Sequence, residues 1–219
     1  MTQGRNGEQM RRSWGLAAVA LTATLTVGCS GGTTGANDPK NNKVPVPDGV
    51  AADKVGPAEE GGTVGGSGSP CALPVTFAHA KQWKVQSIPP DAAKSFTIGS
   101  FGPVCELDGK PAGVLGMIRV WQGGKPGENV ESQLKLFADG DKSKDSEQPK
   151  LTPVKLTGVD AMEAAYQRSL DGVKHREYAI AVQAGGKVVV VKVGGIDQET
   201  LDEMMPAYLL ARQTLAVGR

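Results

Sequence analysis

Large apolar residues are unevenly spread along this chain, and their spacing divides it into three segments. Residues 14–27 form an uncharged, mostly apolar run. Between Gly28 and about Pro70, large apolar side chains nearly vanish. Val44, Val46, Val50, Val55 and Val64 are scattered there with neither a 3.6- nor a 2-residue period. Such a stretch buries too little surface to offset its ordering entropy, so it reads as a flexible tether. From Cys71 the pattern becomes periodic, and one domain is expected over residues 71–219.

Within that domain Leu73–Phe77 and Trp83–Val85 are short apolar or alternating pieces, and Pro89-Pro90 marks a break. Val114–Trp121 reads as a strand, with Ile118 and Val120 on one side and Met117 and Trp121 on the other. Val130, Leu134 and Phe137 fall at i, i+4 and i+7, which predicts a helix over 130–138 capped by Asn129. A charged loop is expected from Asp139 to Lys150. Strands follow at 151–156, at 161–168, where Met162, Ala164 and Tyr166 alternate, and at 175–184, where Tyr178, Ile180 and Val182 share a face. Gly185-Gly186 accepts positive φ at both positions and predicts a tight hairpin into the β-prone run 187–193. The last element, Gln198–Val217, reads as a helix with Asp197 as N-cap, acid in its first turns and a kink or split at Pro206. Antiparallel strands with helices packed on the sheet faces make an α+β sandwich.

Composition adds the compartment. Arg11 and Arg12 precede the apolar run, which is shorter than a membrane span of about 20 residues and ends in Gly28-Cys29. That is the anatomy of an export signal occupying residues 1–28. Met10 offers an alternative start. The end of the run, Leu25-Thr26-Val27-Gly28-Cys29, resembles the lipobox of bacterial lipoproteins, with Thr26 in place of the commoner leucine. The resemblance implies that Cys29 receives a diacylglyceryl group and becomes the mature N-terminus. Two acyl chains suffice for stable anchoring where one is marginal. Arg11-Arg12 is all that is shared with twin-arginine signals. The tether over 29–70, about 40 residues long, would span roughly 35 Å root-mean-square. Losing the leader takes the formal charge from +1 to −1, and a near-neutral surface lacks the basic stripe that nucleic acid requires.

Cys71 and Cys105 remain once Cys29 is lipidated, and outside the cytoplasm such a pair is expected to form a disulfide. A two-cysteine metal site is the alternative, but His79 and His175 are isolated from each other and lack ligand spacing. No metal or cofactor is therefore expected.

A search for catalytic chemistry yields no catalytic residue. Gly99-Ser100 does not complete a Gly-x-Ser-x-Gly elbow. Asp139, Asp141 and Ser143 start a calcium-loop spacing that fails at Lys144 and Lys150. Glu163 and Glu177 lie inside predicted strands, each opposite its strand's apolar face, so both are expected to face solvent. His175, between Lys174 and Arg176 at a strand start, is likewise expected at the surface.

The element order, with Trp83 early, Gly158 before a strand, the Tyr178–Val182 strand and the acidic terminal helix, resembles actinobacterial lipoproteins with a PsbP-like α/β/α domain. The resemblance implies a non-enzymatic binding or accessory module, and no functional residue carries over because a shared fold does not fix function. The expectation is a lipid-anchored module on the outer face of the cell membrane, binding an envelope protein or ligand. The alternatives are a carrier of lipid or another apolar ligand, and a cell-envelope enzyme.

Overall fold

The computed structural model describes residues 45–51, 54–156 and 158–218. The leader, Cys29 and the first part of the predicted tether lie outside the described residues.

Among the described residues, two antiparallel sheets, three α-helices and a short 3-10 helix at Lys110–Ala112 build the domain. The large sheet has seven strands in the order β3-β4-β5-β9-β8-β7-β6. These are β3 (Lys84–Ser87), β4 (Gly102–Asp108), β5 (Met117–Gly123), β6 (Lys150–Leu156), β7 (Val159–Leu170), β8 (Val173–Ala184) and β9 (Lys187–Gly194). The small sheet has the order β1-β2-β10, from β1 (Glu60–Val64), β2 (Val75–Ala80) and β10 (Ala216–Val217). A four-residue helix α1 (Pro90–Ala93) follows the Pro89-Pro90 break, and α2 (Val130–Asp141) and α3 (Gln198–Thr214) are the main helices.

Both faces of the large sheet are covered. On one side Tyr178, Ile180 and Val182 of β8 and Val189, Val191 and Val193 of β9 pack with α3 and the small sheet. On the other, Ala164, Ala179, Ala181 and Val190 pack against Leu134, Phe137 and Ala138 of α2. The predicted stripe of α2 thus points at the sheet, and the Asn129 side chain accepts the Glu131 N–H at its start. The β8–β9 hairpin turns at Gly185-Gly186, with φ of +58° and +74°. Asp197 caps α3 in a reciprocal pair with Thr200.

Several expectations are corrected. The folded part begins well before Cys71. Val46, Val50, Val55 and Ala58 pack on the core, the Tyr178 hydroxyl donates to the Asp48 carbonyl, and the Ala58 N–H donates to the Pro206 carbonyl. Strand β1 pairs with β2 through backbone bonds, which need no apolar periodicity and so leave little trace in the sequence. Gly65, read as linker, has φ +81°, and a Cβ there would overlap the Val75 carbonyl. It is a turn residue, not a spacer. Strand β4 was not anticipated. The helix α2 extends into the expected charged loop as far as Asp141.

Pro206 neither splits nor ends α3, which runs through it as one helix before the short β10. A proline inside a helix costs roughly 3 kcal/mol. Burial of Leu201, Met204, Met205, Tyr208 and Leu209 against the sheet offsets that cost.

Cys71 and Cys105 are joined in a disulfide. Cys71 lies in the connection before β2 and Cys105 in β4, so the bond ties the small sheet to the large one.

Candidate functional site

A twelve-residue helix is about 18 Å long, whereas a twelve-residue strand such as β8 spans nearly 40 Å. Helix α2 runs along β7, β8 and β9 and is too short to cover them. Bare sheet surface is left at each of its ends, and a concavity forms at each.

At the N-terminal end lies an open groove of about 850 Å³. Pro153, Val154, Ala161, Met162 and Val130 give it an apolar lining, and Glu128, Glu131, Asp160, Lys155 and Gln183 supply its polar groups. Lys155 is paired with Asp160, and Glu128 with Gln133.

Beyond the C-terminal end of α2 lies a smaller cleft of about 180 Å³. Its walls carry Arg119 of β5, Arg168 of β7, Glu177 of β8 and Lys192 of β9, with Gly116, Gly194 and Gly195 between them. The antiparallel register creates this convergence: Arg119 opposes Lys192, Arg168 opposes His175, and both Tyr166 and Gly194 oppose Glu177. Gly194 is required here because a Cβ would overlap the Glu177 carboxylate.

The Glu177 carboxylate is buried and held from three sides. Lys192 Nζ stands 2.6 Å from Oε2, while His175 Nε2 and Arg168 Nη1 stand 3.1 Å and 3.5 Å from Oε1. Asp141, the last residue of α2, lies 3.0 Å from Lys192 and accepts a 2.7 Å hydrogen bond from the Tyr166 hydroxyl. Burial drives the Tyr166 pKa well above its ordinary value, and the neighbouring Asp141 and Glu177 charges add to the effect. Burial alone would lower the Arg168 pKa, but the same two carboxylates override it and raise it. His175 Nδ1 is buried without a hydrogen-bond partner among the described residues.

Glu163 occupies the opposite face of the sheet. Arg212 of α3 grips it with Nε and Nη2 at 2.8 Å and 3.0 Å, and the Tyr208 hydroxyl donates to it at 2.9 Å. Glu163, Glu177 and His175 are all buried, not solvent-facing as alternation predicts. Reading one strand face as wet assumes a sheet covered on one side, and this sheet is covered on both. Glu163 and Glu177 lie on opposite faces of the sheet, so they form no pair across a cleft. Glu177 and His175 do meet. The one signal for this was the unusual density of charge, Arg168, His175, Glu177 and Lys192, in strands otherwise rich in valine and alanine.

The predicted calcium-loop residues go to separate partners: Asp139 to Lys135, Asp141 to Lys192 and Tyr166, and Ser143 Oγ to the Ser169 N–H. His79 Nδ1 lies 3.0 Å from the Ala80 carbonyl, away from His175. Among the described residues no group of three or more His, Cys, Asp or Glu side chains is placed to hold a metal ion. Among the same residues no helix is long and apolar enough to cross a membrane.

Two solved structures to which the fold is similar are cyanobacterial PsbP (CyanoP) from Synechocystis and LpqN, involved in cell envelope biogenesis of Mycobacterium tuberculosis. The first is 12% identical at a TM-score of 0.43, covering 71% of this chain and 98% of that one. The second is 14% identical at a TM-score of 0.35, covering 72% and 91%. No curated protein matches the chain. The family described as "Uncharacterised lipoprotein" (Lipoprotein_23) matches residues 42–215, from before β1 to the end of α3, and the chain belongs to that family.

Proposed function

We propose that the chain is a lipid-anchored extracytoplasmic binding module. It is held on the outer face of the cell membrane through Cys29, engages an envelope partner or ligand on the α2 face of its large sheet, and catalyses no reaction. The observation that carries this reading is the pair of concavities left by the short α2. Membership of a lipoprotein family and the lipobox-like end of the leader support the anchor. The absence of turnover is supported by the state of the titratable groups. A general acid or base must reach the proton it moves, whereas Glu177 and His175 are 1% and 3% exposed. Glu177, moreover, already lies against Lys192, Arg168 and His175. Their arrangement ties α2 and the strand ends together.

The test is crosslinking in living cells through a photoreactive residue placed at Leu136, on the outer side of α2, or at Gln183, beside the groove. A defined set of envelope species crosslinked from Gln183 and not from Leu136 is the expected result. Random neighbours from both positions would overturn the reading.

The large groove favours a second reading, a carrier of an apolar ligand. Its volume lies within the range of small-molecule sites, which are mostly apolar with a few polar groups. Lipid that stays with the protein through purification, and is lost on Met162→Asp, would select the carrier.

A further inference from the structure

Six large apolar side chains are close to half exposed or more among the described residues: Phe96, Leu115, Leu136, Leu170, Val173 and Ile196. Five of them gather at one place. Leu115 and Ile196 line the small cleft. The Phe96 ring lies under the Arg119 guanidinium, 5.9 Å from centroid to Cζ. Leu170 and Val173 oppose each other at the tip of the β7–β8 hairpin, on the sheet face that carries Arg168, His175 and Glu177. Along a strand, two residues advance about 7 Å, so this pair stands just outside Arg168. The small cleft is therefore ringed by apolar side chains that the fold itself leaves uncovered. Grouped apolar exposure of this kind marks interaction sites, whereas isolated exposed residues do not.

The charges inside the ring define what fits. Lys192 is spent between Glu177 and Asp141. Arg119 donates from Nε to Glu106 at 2.8 Å, and Arg168 reaches Glu177 through Nη1. Arg168 also faces Asp141 with Nε at 3.8 Å, so among the described residues Arg119 keeps both Nη nitrogens and Arg168 keeps Nη2; the two side chains are 34% and 39% exposed. A guanidinium fork matches a carboxylate in geometry as well as charge. The cluster as a whole is balanced, with Glu177, Asp141 and Glu106 behind the three cations. A broad anionic surface gains little from it, while one carboxylate reaching between the Nη pair of Arg119 and the Nη2 of Arg168 meets them directly. At about 30 Å³ per water molecule, the cleft holds about six waters. That is room for a single acidic side chain or chain terminus, not for an acyl chain.

We infer that this cleft and its apolar rim are an interaction surface for a segment of another protein that presents a carboxylate between apolar side chains. The inference deepens the binding-module reading and rests on it. Arg119 and Arg168 hold the carboxylate, and Phe96, Leu115, Leu170, Val173 and Ile196 receive the flanking apolar groups.

The test pans a random twelve-residue peptide library on the full chain in detergent. Enriched peptides should carry an Asp, Glu or free C-terminus flanked by aliphatic or aromatic residues. Their binding should fall tenfold or more in Ile196→Asp and Leu115→Asp, at side chains 55% and 60% exposed. It should fall similarly in Arg119→Gln with Arg168→Gln. Leu136→Asp, equally exposed on α2, should bind like the parent. Peptides without an acid, or rim variants that bind like the parent, would overturn the inference. So would loss of peptide binding when the anchored chain is reconstituted in phosphatidylglycerol vesicles, which would give the rim to the membrane. Crosslinks to envelope species from Gln183 would survive all of these failures, so the broader reading stands or falls separately.

Discussion

Glu163 sits between α3 and the sheet with Arg212 and the Tyr208 hydroxyl as its partners. Arg212 is 1% exposed, and its Nη1 already lacks a partner among the described residues. Removing the negative charge with Glu163→Gln leaves a buried guanidinium uncompensated, which costs roughly 3–5 kcal/mol. Urea denaturation of the variant should show that loss, and a midpoint within error of the parent would contradict the buried pair. Tyr166, Tyr178 and Tyr208 are the three tyrosines of the chain, and burial raises the pKa of each above the ordinary 10.0. Protons therefore leave the unfolded chain first. Stability from the neutral phenols is complete below pH 10 and declines as pH rises through the raised native values. Alkaline titration should show less tyrosinate absorbance at pH 10 in the folded protein than in the unfolded chain while near-ultraviolet dichroism persists. Tyrosinate absorbance equal to that of the unfolded chain would contradict the burial.

The disulfide acts between elements, joining the connection before β2 to β4 across 34 positions. On the chain-entropy account, closing such a loop contributes roughly 3–4 kcal/mol. Denaturation with and without reductant should differ by about that amount, and equal midpoints would show that core contacts alone hold the sheets together. Elements with strong local signals were legible in the sequence: the Gly185-Gly186 hairpin, the Asn129-capped α2, and the acidic start of α3 at Asp197. Strand β1 was not, because Glu60–Val64 contributes a single large apolar side chain, Val64, and is held by its pairing with β2. In β4 the alternation of Pro103, Cys105 and Leu107 is present, but the proline obscures it. The polar cleft was hidden for a different reason. Arg119, Arg168, Glu177 and Lys192 come from four strands whose register no local pattern states, and that register packs Arg168, His175 and Lys192 around Glu177.

At the scale of the whole molecule, the β6 edge of the large sheet is a poor template for a partner's strand. Strand β6 forms one edge of the large sheet and carries Pro153 between Lys150 and Lys155; a proline and charged side chains both discourage strand addition. The face that α2 half covers is the proposed recognition surface, with an apolar groove at one end and a charged, apolar-rimmed cleft at the other. Its role depends on the domain being tethered outside the cell. Intact mass spectrometry of the protein extracted from bacterial membranes tests this directly. The account predicts a chain beginning at Cys29, carrying a diacylglyceryl group, with residues 1–28 gone. A chain that retains its leader and an unmodified Cys29 would contradict it.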